Sequence, residues 1–169
     1  MSESNMKERK GEHPFGDAGQ LIFLVFFLIV WVGDSFVLHL STFLSMYLPL
    51  SLRLIFSGIT LLVSVYLFRS GHVVVTHAQR PGSVIHTGVF RYVRHPLYSA
   101  TILLYIALTV STSSLLCLGL LAIIFLFYNF IAGYEEKLME AKFTEEYGNY
   151  KRLTGKWIPR IGKGKEKSF

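Results

Sequence analysis

Four apolar runs, each bounded by polar or turn-forming residues, set the layout of the chain. Residues 21–40 and 49–68 are each about the 20 residues that a membrane-spanning helix needs. A third run covers 93–110 with interfacial first turns, and a fourth covers 115–134. The links differ in character. Residues 41–48 are short and mixed, Pro49 suits a first helical position, 111–114 form a tight polar turn, and 71–87 make the longest stretch between spans. Past Tyr134, Met139, Phe143, Tyr147 and Tyr150 recur at helical spacing among Lys and Glu residues. Such a stripe predicts an amphipathic helix over 135–153 that lies along the interface and covers the loop before the third span. Residues 1–19 read as a polar tail and 160–169 as a basic one. The first run is longer than a signal-peptide core and no small-residue cleavage site follows it. The expected fold is an all-α integral membrane protein, a single domain of about four transmembrane helices plus a C-terminal amphipathic interfacial helix.

Composition sharpens this picture. At 169 residues and 51% hydrophobic content, with mean hydropathy +0.44, the chain is too apolar for a water-soluble domain of its size. Its net charge of +6 gathers beside the apolar runs, which points to anionic lipid headgroups and away from nucleic acid. Sixteen of the seventeen Lys and Arg residues lie in the N-terminal tail, between Arg69 and Arg94, or after Tyr134, and only Arg53 falls on the other side. By the positive-inside rule both termini and the central loop are cytoplasmic. Cys117 is the one cysteine, and it reads as a small packing residue within a span.

Chemistry concentrates at residues 88–98, which pack Arg91, Arg94 and His95 against the start of an apolar run. Pro96 suits the first turn of a helix, where its missing N–H costs nothing, so Arg94 and His95 sit at that helix's start. Folded as a helical hairpin, residues 97–134 return Glu135 and Glu136 to the same side of the membrane. Cationic anchoring explains single arginines, but it does not require carboxylates at the same depth. Asp34, inside the first span, is a functional candidate by position; its ordinary reading is a carboxylate reaching the nearer interface beside Ser35 and His39. His72, His77 and His86 are expected to be interfacial or substrate-facing, since their spacing and the lack of accompanying ligands argue against a zinc-type site. No metal is expected, and no phosphate loop, nucleophile elbow or internal repeat is present.

The pattern Gly-x-x-Arg-x-x-Arg-His-Pro-x-Tyr over 88–98, followed by Glu135, Glu136 and Leu138 and then Phe143, Tyr147 and Tyr150, resembles the isoprenylcysteine carboxyl methyltransferase family and its relatives among phospholipid methyltransferases. The resemblance covers about 87–159. It implies a small helical membrane enzyme whose S-adenosylmethionine pocket is formed by the last two spans and the C-terminal segment. It implies that Arg94, His95, Pro96 and Tyr98 belong to the cofactor and catalytic region, that Glu135 and Glu136 are the paired glutamates of the cofactor site, and that Tyr147 and Tyr150 border it. The first half of the chain shows no matching motif, and four spans make it shorter than the prenylcysteine enzymes.

The charges suit that cofactor. Its carboxylate calls for cationic donors, which Arg94 and the third helix's N-terminus supply, and its ammonium or ribose calls for the acceptors Glu135 and Glu136. Aligning the acceptor with an already activated methyl group provides much of the acceleration. A carboxylate acceptor needs no base; for an amine or thiol, His95 or one glutamate takes the proton. Arg91 is a candidate to orient an anionic acceptor. The expected function is S-adenosylmethionine-dependent methylation of a lipophilic acceptor at the cytoplasmic membrane face, first by carboxyl O-methylation of the isoprenylcysteine type and second by methylation of a phospholipid or a small amine or thiol. An NADPH-dependent sterol-type reductase and a non-catalytic membrane scaffold are the alternatives from other classes.

Overall fold

The computed structural model describes residues 16–77 and 83–160. The order is α1 (Gly16–Val32), a π-helical turn (Gly33–Leu38), a short 3-10 turn (Phe43–Met46), α2 (Leu50–His77), a second 3-10 turn (Gly88–Arg91), α3 (Pro96–Thr112) and α4 (Leu115–Leu153). Among the described residues the only β pairing is an isolated bridge between Val93 and Gly155. Three helical stretches, Ala18–Leu38, Leu50–Thr76 and Leu115–Leu153, are long and apolar enough to cross a membrane. The fourth, α3, is apolar but shorter, at 17 residues. Lipid offers backbone groups no partners, so apolar runs of this length form helices that satisfy their own N–H and C=O groups. The protein is an all-α membrane protein.

Burial is inverted relative to a water-soluble bundle. Along α2 the leucines, isoleucines and phenylalanines face outward, while Ser57, Thr60, Ser64 and Gly71 are buried. Small residues on one stripe let helices approach closely in a medium that does not drive apolar faces together. Ser64 Oγ donates across the interface to Ala100 O at 2.7 Å. A Cβ on Gly71 would meet Leu97 Cδ2 at 3.0 Å, so α2 presses on the first turn of α3 there. On the other side of α3, Phe27, Tyr105, Ile124 and Tyr128 form the centre of a core shared with α1 and α4.

The end of the bundle remote from Arg94 is closed by polar groups. Asp34 is buried in the π-helical turn and accepts hydrogen bonds from Ser41 N at 2.9 Å, Ser41 Oγ at 2.6 Å and Ser114 Oγ at 2.5 Å. Ser114 in turn caps α4 by accepting from Cys117 N at 3.1 Å. The Asp34 side chain is buried at this end of the bundle. It ties the loop after α1 to the tight turn between α3 and α4, where Ser113 takes a left-handed conformation.

Three boundaries differ from the sequence expectations. The third helix starts at Pro96 and not at 93, because residues 93–95 are held by the segment around Gly155. Helix α2 continues past Phe68 to His77, which places His72 on a helix, stacked on Phe68 at 6.2 Å between centroids. The helix from Leu115 runs past Tyr134 without a break, and the division falls at Phe143, where two helical segments meet at a kink with non-helical torsions. Beyond that bend Tyr147 and Tyr150 pack with Val84, and Val84 N donates to Glu146 Oε1 at 3.1 Å, so the polar part of α4 covers the loop before α3 as its stripe predicted. Most of the two terminal tails, with Arg80, Pro81 and Gly82, lies outside the described residues, as does the side chain of His77.

Candidate active site

The segment that carries the motif is held in place mainly through its backbone. Gly88 has a positive φ of 57°, and a Cβ there would come within 2.8 Å of Val74 Cγ2, so both conformation and space require glycine. The following 3-10 turn leads into residues pinned from the other side by α4 and its C-terminal extension. Tyr150 Oη donates to Phe90 O at 2.6 Å, and Arg94 N donates to Gly155 O at 2.9 Å. At Pro96 the chain becomes helical with His95 as the capping residue.

This geometry buries a charged cluster between the start of α3 and the middle of α4. The Arg94 guanidinium donates from Nε to Glu136 Oε1 at 3.0 Å, from Nη1 to Lys151 O at 3.1 Å, and from Nη1 to Thr154 O. Glu136 also lies 3.3 Å from His95 Nε2 and 3.4 Å from Lys151 Nζ. Glu135 accepts from Tyr98 Oη at 2.5 Å, and its other oxygen lies 3.6 Å from His95 Nδ1. The His95 ring stacks parallel to Tyr98 at 5.6 Å and meets Trp157 at 5.9 Å.

Burial pushes the His95 pKa below its ordinary value, the Lys156 and Arg94 charges add to that shift, and Glu136 opposes it. The neutral ring is therefore favoured. With Nε2–H donating to Glu136, Nδ1 carries the lone pair. Lys156 is also shifted down, by burial first and by Arg94 and Lys151 next, against the pull of Glu136. Its ammonium donates to Asn129 O at 3.2 Å and Asn129 Oδ1 at 2.8 Å.

Arg94, His95, Tyr98, Glu135 and Glu136 thus converge from both ends of the α3–α4 hairpin, with Pro96 buried at the first helical position. Tyr150 supports the motif's backbone, and Tyr147 packs beside it at 5.8 Å. Arg91 does not join them: its side chain is exposed and lines a separate cavity against α2. Of the five N–H donors of Arg94, the one on Nε goes to Glu136 and the two on Nη1 go to backbone carbonyls. Lys151, Lys156 and Trp157 belong to the cluster but were not singled out for it from the sequence. Lys151 falls among the Lys and Glu residues that surround the stripe over 135–153. The one signal in their favour was their position after the paired glutamates.

The phospholipid methyltransferase family model matches residues 44–146, more than half of the chain. The chain belongs to the phospholipid methyltransferase family. The matched region contains α2, α3 and the part of α4 that carries Glu135 and Glu136, in agreement with the resemblance read from the motif. No curated protein and no solved structure matches the chain. As a member of this family the protein is a membrane methyltransferase.

Proposed function

We propose that the protein transfers a methyl group from S-adenosylmethionine to a lipophilic acceptor, with the cluster at the α3–α4 hairpin as its site. The observation that carries this reading is the convergence of His95, Glu135 and Glu136 with Tyr98 and Trp157. The donor set fits the cofactor's opposed charges. Glu135 and Glu136 suit its ammonium or ribose hydroxyls, Lys156 and Lys151 suit its carboxylate, and the Tyr98 and Trp157 rings suit its sulfonium or adenine. Arg94 acts through Glu136, holding that carboxylate and the Thr154–Gly155 turn in position. The bound cofactor supplies an activated methyl group for in-line displacement.

The residues' remaining tasks are orientation, exclusion of water and disposal of a proton. Carboxyl O-methylation, the first acceptor class, needs no base, because the attacking oxygen carries no proton. The second class, a phospholipid headgroup amine, loses a proton that His95 Nδ1 is placed to take. Two features favour this second class: the family match, and the place of His95 between Glu135 and Glu136, where burial lowers its pKa. The charge asymmetry of the sequence supports a cytoplasmic location for the site and both termini.

Calorimetric titration of the detergent-purified protein with S-adenosylmethionine and with NADPH tests the cofactor. Saturable binding of the former alone is expected; binding of NADPH alone refutes the proposal in favour of a reductase, and binding of neither, in lipid as well as detergent, refutes it in favour of a scaffold. Transfer of labelled methyl to a prenylcysteine acid gives a base-labile ester that releases methanol. Transfer to phosphatidylethanolamine gives a base-stable N-methyl product, so one hydrolysis step separates the acceptors.

A further inference from the structure

A second basic site lies on the other side of the 88–95 segment. A cavity of about 610 Å³ opens between α2 and the turn before α3, lined by Arg69, Tyr66 and Val73 from α2 and by Arg91 and Tyr92 from the turn. The two arginines come from different elements, no carboxylate lines the cavity, and among the described residues neither arginine forms an ion pair. Their neighbours suit a membrane boundary. Tyr66 and Tyr92 are exposed aromatics with a polar tip, which favour headgroup depth, and Val73 is also exposed on the surface of α2. Helix α2 has 28 residues, so it is about 42 Å long at 1.5 Å per residue. A hydrocarbon core takes about 20 residues, and Arg69, past the apolar stretch of α2, falls near its edge.

We propose that this cavity binds an anionic glycerophospholipid, with its phosphate between Arg69 and Arg91 and its chains along the valine-bearing outer face of α2. Two guanidiniums with no ion pair among the described residues call for a diffuse anion that accepts several hydrogen bonds, and a phosphodiester meets that description. The lining also selects within phospholipids. A zwitterionic headgroup would bring an ammonium beside two arginines with no carboxylate to receive it, whereas a headgroup without a cation meets no such repulsion. The site is distinct from the methyl-transfer cluster, because Arg94 and His95 turn to α4 while Arg91 and Tyr92 turn to α2. The inference does not depend on the acceptor.

Native mass spectrometry of the full-length protein in detergent, titrated with phosphatidylglycerol or with phosphatidylcholine of the same chains, tests this. One phosphatidylglycerol is expected to bind saturably, at least about tenfold tighter than phosphatidylcholine, and added salt should weaken it. Arg69→Gln with Arg91→Gln should abolish that preference while the affinity for S-adenosylmethionine is retained. Equal retention of both lipids by the unaltered protein overturns the proposal, a comparison that does not depend on how the variant folds. A folded double variant that still prefers phosphatidylglycerol also overturns it. Glycerol phosphate or inorganic phosphate competing as well as the lipid overturns the lipid as occupant in favour of a soluble phosphate.

Discussion

Arg94 and Glu136 should be strongly coupled in stability, and a double-mutant cycle measures the coupling. Their side chains are each 7% exposed and joined by an Nε to Oε1 hydrogen bond of 3.0 Å. Glu136 has a further partner in Lys151, but that side chain is 39% exposed and its contribution is screened by solvent. A charge-assisted hydrogen bond at a buried site is worth about 1.5–3 kcal/mol. Removing one member of a buried pair costs about 3–5 kcal/mol, because the other charge is left uncompensated. Arg94→Met and Glu136→Gln should each destabilise the protein by an amount in that range. The double variant, with neither charge left unpaired, should be more stable than the sum of the single effects predicts by about 2 kcal/mol or more. Denaturation in detergent, followed by Trp157 fluorescence in a Trp31→Phe background, reads the end of the bundle where the pair lies. Additivity within about 0.5 kcal/mol would mean that the two residues are independent, and would remove Arg94 as the group that positions Glu136.

Four other outcomes follow from single features. His95 has a folded pKa below its ordinary value of 6.5, so the unfolded chain binds more protons in that window; stability should be complete above pH 6.5 and fall as the pH drops toward the folded value. His95→Gln should flatten that dependence in pH-resolved thermal melts. Gly155→Ala should weaken S-adenosylmethionine binding at least tenfold by calorimetry, because a Cβ there runs into the Ile158 carbonyl and displaces the turn that holds Arg94. Gly88→Ala should lower thermal stability by about 1–2 kcal/mol from its left-handed φ alone, and by more because of Val74. Asp34→Ala should destabilise by about 1–3 kcal/mol through the hydroxyl and amide donors it orphans, with cofactor affinity unchanged in the same calorimetric assay.

The sequence makes the bundle legible because lipid imposes a simple rule: about 20 apolar residues mark a span. That rule reports membrane thickness and not helix length. Helix α2 therefore outruns its apolar stretch at Phe68, since Arg69 and His72 are good enough helix residues to continue it at the interface. The same limit concealed the continuity of α4 through Tyr134, where polarity changes but no Gly, Pro or cap interrupts the helix. In the site, the return of Glu135 and Glu136 to Arg94 and His95 followed from hairpin geometry alone. The separation of Arg91 from Arg94 did not, because it depends on the chain leaving a 3-10 turn and pairing with Gly155 before α3 begins. Lys151 was missed because its role depends on where the polar half of α4 is carried, a tertiary fact that helical spacing does not contain.

The kink in α4 at Phe143 divides the groups that assemble the site. Glu135 and Glu136 lie at the end of the part packed in the core, and Lys151 and Thr154 lie beyond the bend at Phe143, yet Arg94 contacts both groups. A separate surface helix joined by a flexible turn would leave Lys151 and Thr154 free to move relative to the glutamates. The two helical segments of α4 meet at the kink at Phe143, and Arg94 bonds to both and joins them to α3. The polar half of α4 is tied further to the segment before α3, with Tyr150 bonded to Phe90 O and Val84 packed beside it. Cofactor binding at Glu135 and Glu136 should therefore protect backbone amides as far along as Thr154 and Gly155 from hydrogen exchange. Protection confined to residues before Phe143 would show that the bend works as a hinge, and that Arg94 does not couple its two sides.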